Sequence, residues 1–238
     1  MLALRPPRPT RTARTTAART ALRPHRPGVG TLVALLLAGL VTAACGPASA
    51  TAISAQGLEP GPDGWRGLPL ERERTMPVAT LSATDGTAVD LHTAFAGTPT
   101  LLFFGYTSCP DICPIHLAAI ASAMDTAGVS YDEVDVVFVS VDPERDTPER
   151  IESYLANFDT RMVGLRGDAE VVEDALAQLD LGGPVVEGPD PRGEGDLIGH
   201  PAQVIGFDAD GEALRVWPFG ARRSDWIEDL PRIVEEWS

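Results

Sequence analysis

Lysine is absent from this 238-residue sequence, in which all 19 basic residues are arginine. Its absence excludes Schiff-base catalysis by lysine and the phosphate-binding lysine of a P-loop. Cysteine is scarce as well, since three cysteines are too few for a disulfide-built scaffold and the odd number needs an explanation. The sequence also shows no Ser-His-Asp set, glycine-rich nucleotide loop or paired catalytic carboxylates, so a turnover enzyme is not expected and thiol–disulfide exchange is the one catalytic activity left open.

Acidic residues are absent before Glu59, whereas seven arginines lie within residues 1–26. The rest of the chain, residues 46–238, carries 12 arginines and 34 acidic residues, a net charge of −22. A body of that charge is repelled by nucleic acid and by anionic lipid, so neither is expected as the main partner. The hydrophobic content of the whole chain, 44%, is ordinary for a globular protein with a core.

The apolar run TLVALLLAGLVTAA, residues 31–44, is too short for a comfortable transmembrane helix, which needs about 20 residues. It follows a basic segment and ends in small residues, which predicts a secretory signal over residues 1–45. Its Thr-Ala-Ala-Cys end resembles the lipobox of bacterial lipoproteins, although Thr42 stands where leucine is usual. That resemblance implies cleavage before Cys45, lipid attachment to its sulfur, and anchoring to the outer face of the bacterial cell membrane. The alternatives are a plain secreted protein and an uncleaved anchor.

Residues 46–75 are rich in glycine, proline and alanine and lack periodicity, which predicts a flexible tether. The folded domain is predicted for residues 76–238, where strand and helix patterns alternate. Strands are predicted at 78–84, 99–107, 134–142, 162–167, 202–208 and 214–218, and helices at 115–124, after Thr147-Pro148, at 168–179 and near 224–236. Pro231 is expected to kink or split the last helix. The order predicts an α/β thioredoxin-like fold whose central mixed sheet is flanked by helices.

Residues 180–199 are rich in glycine, proline and acidic residues, which predicts a loop immediately before His200. Its length of about 20 residues is typical of a functional or mobile loop.

The segment FFGYTSCPDICPIHL, residues 103–117, places Cys109 and Cys113 where a buried strand ends and a helix begins. The partial positive charge and free backbone N–H groups of a helix N-terminus lower a thiol pKa, and the thiolate is the form that binds metal. The spacing of four residues is expected to put both sulfurs on one face of the first helical turn. Such a pair is suited either to a Cys109–Cys113 disulfide or to holding one soft metal ion.

The stretch FGYTSCPDICP, together with VVFVSVDPERDTPE at 136–149, closely resembles the SCO/SenC copper chaperones of cytochrome c oxidase assembly. The resemblance extends over residues 76–238. It implies a thioredoxin-like fold with an extra β-hairpin, and copper held by Cys109, Cys113 and one distal histidine, which by motif position is His200. Thiolates and imidazole suit Cu(I), and three ligands leave a position open for transfer to an acceptor. Zinc is disfavoured because structural zinc sites usually have four protein ligands.

Residues next to the motif qualify this prediction. The family usually has aspartate before the distal histidine and serine after it, whereas Gly199 and Pro201 stand here. Because residues that hydrogen-bond to a metal-bound imidazole orient its ring, the loss of that aspartate is expected to affect the ring orientation of His200 and its copper affinity. His116 is a rival ligand but is interpreted as a solvated helix residue. Asp111 either influences the thiolates or caps the helix, and Asp142 is interpreted first as structural and second as an outer partner of the metal site.

Three functions fit these patterns. The first is a membrane-tethered copper metallochaperone that delivers copper to the binuclear copper centre of cytochrome c oxidase subunit II. The second is a thiol–disulfide oxidoreductase that reduces acceptor cysteines, which needs the cysteine pair but not His200. The third is a copper or redox sensor with no delivery function.

Overall fold

A computed structural model describes residues 57–238, and the predicted signal and Cys45 lie outside the described residues. The strands are β1 (Leu68–Pro69), β2 (Thr80–Ala83), β3 (Ala88–Asp90), β4 (Thr100–Gly105), β5 (Asp135–Ser140), β6 (Val163–Arg166), β7 (Val185–Pro189), β8 (Asp196–Gly199), β9 (Val204–Phe207) and β10 (Ala213–Trp217). The helices are α1 (Leu91–Ala94), α2 (Ile112–Ala127), α3 (Pro148–Leu155), α4 (Ala169–Gln178) and α5 (Arg223–Trp237).

Eight of these strands form one mixed sheet, in the order β1-β10-β9-β4-β5-β6-β2-β3. β5 runs parallel to both β4 and β6, whereas β9 runs antiparallel to β4. Every residue of β4 is buried, as is all of β5 after its first residue. Continuous apolar runs are typical of strands covered on both faces. The predicted central mixed sheet flanked by helices is therefore confirmed.

The helix boundaries follow local sequence signals, with one exception. The Thr147 hydroxyl accepts a hydrogen bond from the Arg150 backbone N–H, and Pro148 opens α3, as predicted. The prediction that Pro231 splits the last helix is wrong, because α5 continues through it. Trp226, Leu230, Ile233 and Trp237 of α5 are buried while Pro231 is exposed, so packing holds the helix together across the lost backbone donor. Within residues 57–238, no helix has both the length and the apolar character needed to cross a bilayer.

The chain before β2 differs from the predicted tether, because residues 57–75 pack on the domain instead of hanging free. Leu58 is buried, and its backbone N–H donates to the Asp225 carboxylate at 3.0 Å. The Gly67 N–H donates to the buried Asp229 carboxylate at 2.7 Å. Two buried carboxylates of α5 thus satisfy the backbone of an irregular segment, which we call the N-terminal strap, residues 57–69.

Residues 180–199 also differ from the prediction, since this segment contains the β7–β8 hairpin. Val185 pairs with Gly199, and the register shifts between Val186 and Gly188, where φ is +123°. No apolar alternation marks these strands in the sequence, because most of their side chains are exposed or only partly buried. The consequence is that a β-hairpin, not an irregular loop, leads into His200.

Candidate metal centre

Cys109 and Cys113 lie side by side where the loop after β4 enters α2. The helix begins at Ile112, after Cys109, so the loop and not a shared helical turn brings the sulfurs together. Asp111 caps the helix, because its carboxylate accepts from the Ile112 N–H at 2.7 Å. The Cys113 N–H donates to the Cys109 sulfur at 3.5 Å. Both residues are buried free thiols, and Cys109 is 7% exposed.

His200 reaches the cysteine pair from the segment between β8 and β9. Its Nε2 lies 3.5 Å from the Cys113 sulfur, and its Nδ1 lies 2.9 Å from the Pro201 carbonyl oxygen. Because a carbonyl only accepts, Nδ1 is the donor in this contact, and Nε2 is the ring nitrogen that faces the sulfurs. Ligand atoms of Cys109, Cys113 and His200 all lie within 4.8 Å of one another. The structure therefore brings together all three residues that the sequence proposed as copper ligands.

The two thiols differ in acidity. The hydrogen bond from the Cys113 thiol, supported by one from His200, lowers the pKa of Cys109 to about 4, against the opposing effect of burial. Burial, together with its bond and charge interaction with the Cys109 thiolate, raises the pKa of Cys113 well above its ordinary value. At neutral pH the pair is therefore one thiolate, on Cys109, and one thiol, on Cys113. The Cys109 sulfur is therefore in the form that binds a soft cation or acts as a nucleophile.

His116 is fully buried in α2, and its prediction as a solvated residue is wrong. Its ring centroid lies 5.4 Å from that of Phe103 and 6.1 Å from that of Phe219. Within residues 57–238 neither ring nitrogen makes a hydrogen bond of normal geometry. Burial lowers the pKa of His116 to about 4, an effect that the Ala202 backbone partly opposes. The side chain is thus a neutral imidazole that adjoins the centre without belonging to its ligand cluster.

Two carboxylates lie near the centre, and one of them, Asp146, bonds to the loop that carries Cys109. Asp146, which the sequence did not single out, is fully buried and accepts from the Thr107 N–H at 3.0 Å and from the Ser140 hydroxyl at 2.6 Å. Asp142 pairs with Arg145, in line with its structural interpretation. Asp146 and Thr107 are 39 residues apart, so nothing in the linear pattern could have related them.

Comparison with known proteins places the chain among SCO proteins. A sequence model of the SCO1/SenC family matches residues 70–235. The chain is 33% identical over 141 residues to Protein sco1 of Schizosaccharomyces pombe, covering 59% of this chain and 52% of that protein. It is 30% identical over 134 residues to a SCO2-like protein of Rickettsia conorii, covering 56% and 65%. The matches thus span about half to two thirds of the length of these curated relatives.

A solved relative has the same fold. The copper-bound structure of Bradyrhizobium japonicum ScoI is similar to this chain with a TM-score of 0.56 and 30% identity, over 70% of this chain and 98% of that one. Sco structures are thioredoxin-like, so the predicted fold class is confirmed. With a family match that covers most of the sequence, the chain belongs to the SCO1/SenC family.

Proposed function

We propose that Cys109, Cys113 and His200 bind one copper ion and that the protein is a copper metallochaperone. The observation that carries the proposal is the convergence of two sulfurs and one imidazole nitrogen within 4.8 Å. Two thiolates and an imidazole form a soft donor set suited to Cu(I). The Bradyrhizobium japonicum relative, at 30% identity, holds copper, which supports the same cargo here.

Loading of the site follows from the protonation states of its ligands. The Cys109 thiolate supplies the first ligand without a proton having to leave, because its pKa is about 4. Cys113 binds as a thiolate only after its thiol proton passes to solvent, so loading at neutral pH releases one proton per copper. The Nε2 atom of His200 is the third ligand atom, because it faces the sulfurs while Nδ1 donates to the Pro201 carbonyl oxygen.

Release of copper requires a side from which an acceptor can approach. His200 lines an open hollow of about 510 Å³, which also contains Val185, Glu187 and Gly199 of the hairpin. Copper with three protein ligands has room for one more, and an incoming thiolate or imidazole from this side can displace His200 before the sulfurs. In this order of displacement, the buried cysteines are the last ligands to dissociate from copper.

We further propose that the acceptor is the binuclear copper centre of cytochrome c oxidase subunit II, reached from the outer face of the bacterial cell membrane. A lipid on Cys45 would provide the anchor, since a diacylated cysteine supplies the two chains that stable anchoring takes. The strap is fixed to α5 from Leu58 onward, so the 13 residue steps from Cys45 to Leu58 can span at most about 47 Å. A body with a net charge of −22 would then be held near the membrane without lying on anionic headgroups.

The test compares cysteine variants of the full chain. Wild type, loaded with Cu(I) and freed of excess metal, is expected to hold about one copper per chain, and the Cys109→Ser/Cys113→Ser variant none. Cys45→Ser is the matched control, which is expected to keep its copper and to move from the membrane fraction to the soluble fraction. Copper retained by the double variant contradicts the site. Delivery is tested in cells that lack the protein, where oxidase activity is expected to fall and to recover with added copper.

A second candidate is thiol–disulfide exchange, favoured by the low pKa of Cys109 beside the Cys113 thiol. The Cys109 thiolate would attack an acceptor disulfide and release one acceptor thiolate. Cys113, after losing its proton, would then displace the second acceptor thiol and form the Cys109–Cys113 disulfide. The acceptor gains two electrons and the pair loses two. His200→Ala discriminates, since oxidase assembly that survives this substitution favours exchange and its loss favours copper transfer.

A further inference from the structure

His200 is carried by a part of the fold that lies outside the main sheet. Within the described residues, β7 and β8 pair only with each other, and β8 ends at Gly199 immediately before His200. Sheet hydrogen bonds therefore do not hold this hairpin against the cysteine loop. The 3.5 Å approach of Nε2 to the Cys113 sulfur nevertheless requires a defined position, so other contacts have to supply it.

The guanidinium group of Arg145 forms two hydrogen bonds with the turn of the hairpin. Its Nη1 donates to the Glu194 carbonyl oxygen at 2.8 Å, and its Nη2 donates to the Asp196 carbonyl oxygen at 2.8 Å. Its Nε pairs with the buried Asp142 carboxylate, which fixes the guanidinium just beyond the end of β5. This triple contact uses the rigid fork of arginine, which the single ammonium of lysine does not reproduce.

Tyr106 attaches the cysteine loop to the hairpin at a second point. Its hydroxyl oxygen accepts a hydrogen bond from the Ile198 backbone N–H at 3.2 Å. Its ring stands edge-on to His200, with centroids 5.5 Å apart, and the Arg145 guanidinium carbon lies 5.7 Å from the ring centroid. The buried tyrosine therefore contacts the arginine, the hairpin and the imidazole at once.

We propose that Arg145 and Tyr106 form a clamp that positions His200 for copper. The inference rests on the proposed copper site and names two positioning residues for it, neither of which offers a ligand atom. Outer partners of metal ligands typically change metal affinity 10–100-fold. The direct partner of the imidazole is the Pro201 carbonyl, and the clamp acts one step further away, so we expect an effect of about tenfold.

The test breaks the clamp from both sides in the full chain. Arg145→Lys keeps a positive charge beside Asp142 and loses the double contact with the turn. Gly195→Ala attacks the same contact from the hairpin, because its Cβ would lie 2.5 Å from Nη1 and displace it. Gly193→Ala is the matched control, since it has a similar positive φ, 79° against 93°, and its Cβ would meet nothing within 4 Å. Tyr106→Phe removes the acceptor for the hairpin N–H and keeps the ring.

Two measurements are made on each variant. Cu(I) affinity is measured by chelator competition, with His200 present and in a His200→Ala background. Arg145→Lys, Gly195→Ala and Tyr106→Phe are each expected to lose about tenfold with His200 present, and to change by less than about twofold without it. Amide hydrogen exchange over residues 194–200 is measured in copper-free protein and is expected to accelerate in the same three variants. Gly193→Ala is expected to match wild type in copper affinity.

Two results overturn the inference. Unchanged affinity with unchanged exchange shows that the contacts do not hold the hairpin. Equal losses of affinity with and without His200 show that Arg145 and Tyr106 support the domain in general and not this ligand. Failure of the proposed copper site is distinguishable from failure of the clamp, because wild type itself would then bind no copper. In that case the exchange of residues 194–200 in copper-free protein still decides whether the clamp exists.

Discussion

Replacing Cys113 with alanine is expected to raise the pKa of Cys109 in reduced, copper-free protein. The hydrogen bond from the Cys113 thiol is the largest of the effects that lower this pKa to about 4. Contributions from the His200 side chain and from the backbone N–H groups of residues 111 and 113 survive the substitution. The Cys109 thiolate therefore loses one donor and keeps the others.

The size of the shift follows from the donor that is lost. A hydrogen bond to a charged group contributes about 1.5–3 kcal/mol, and one pKa unit corresponds to about 1.36 kcal/mol. The substitution is thus expected to move the pKa of Cys109 from about 4 to about 5–6. Cys113→Ser is the control, because its hydroxyl still donates and its shift is expected to be smaller.

The assay is a pH titration of thiolate ultraviolet absorbance in a Cys45→Ser background, where Cys109 and Cys113 are the only thiols. Wild type is expected to show one thiolate half-formed near pH 4. A wild-type midpoint near 9, the ordinary value, refutes the assigned electrostatics. An unshifted midpoint in Cys113→Ala refutes the role given to the Cys113 thiol.

The same shift makes the stability of the reduced protein depend on pH. The folded pKa of Cys109, about 4, lies below its ordinary value of about 9, so the unfolded state binds more protons between these limits. The stabilisation is complete above pH about 9 and is lost as the pH falls to about 4. Urea unfolding is expected to show a steeper loss over this range for wild type than for Cys109→Ser. Equal slopes for the two proteins contradict a thiolate in the folded state.

Three further predictions concern the surroundings of the centre and the strap. His116→Leu is expected to raise the free energy of unfolding by about 1 kcal/mol, because among the described residues its nitrogens make no hydrogen bond of normal geometry. The advantage of this variant over wild type is expected to grow as the pH falls from 6.5 to 4, because in wild type only the unfolded imidazole is protonated there. Gly105→Ala puts a Cβ 2.7 Å from the Cys113 sulfur and is expected to weaken Cu(I) binding about tenfold in chelator competition. Gly206→Ala is the control, because its Cβ meets tryptophan rings at 2.7 Å and is expected only to lower stability. Asp229→Asn weakens the carboxylate that accepts from the Gly67 N–H and the Trp217 indole, so it is expected to lower the free energy of urea unfolding by about 2–3 kcal/mol and to expose the strap to trypsin. Glu235→Gln is the control, because Glu235 is exposed on the same helix.

Each of these predictions has a contradicting outcome. A less stable His116→Leu protein would show that the imidazole has a stabilising partner. Equal copper loss in Gly105→Ala and Gly206→Ala would make the effect one of general stability. Trypsin resistance of Asp229→Asn would show that the strap is held by other contacts.

Local patterns were enough to predict most elements and the cysteine pair. The buried run of β4, the Thr147-Pro148 start of α3 and the position of Cys109 and Cys113 between strand and helix are all determined within a few residues. Periodicity and capping act over that same distance, so the linear sequence records them.

The errors arose where distant packing overrides local pattern. In α2 the apolar Ile115 is 51% exposed while the polar His116 is fully buried, because Phe103 of β4 and Phe219 after β10 cover the imidazole. A glycine- and proline-rich segment became the strap because Trp65 stacks on Trp237 of α5, with centroids 5.2 Å apart. Neither partner is adjacent in sequence, so no window of residues contains the information.

The sequence by itself determined the donor types, the spacing of the two cysteines and, through the family motif, the identity of the distal histidine. Only the tertiary structure decided that His200, 87 residues after Cys113, presents Nε2 to the sulfurs. It also decided that the first thiol is the acidic one, because the second thiol donates to it. Donor type is a property of one side chain, whereas distance and proton sharing depend on groups that only the folded chain brings together.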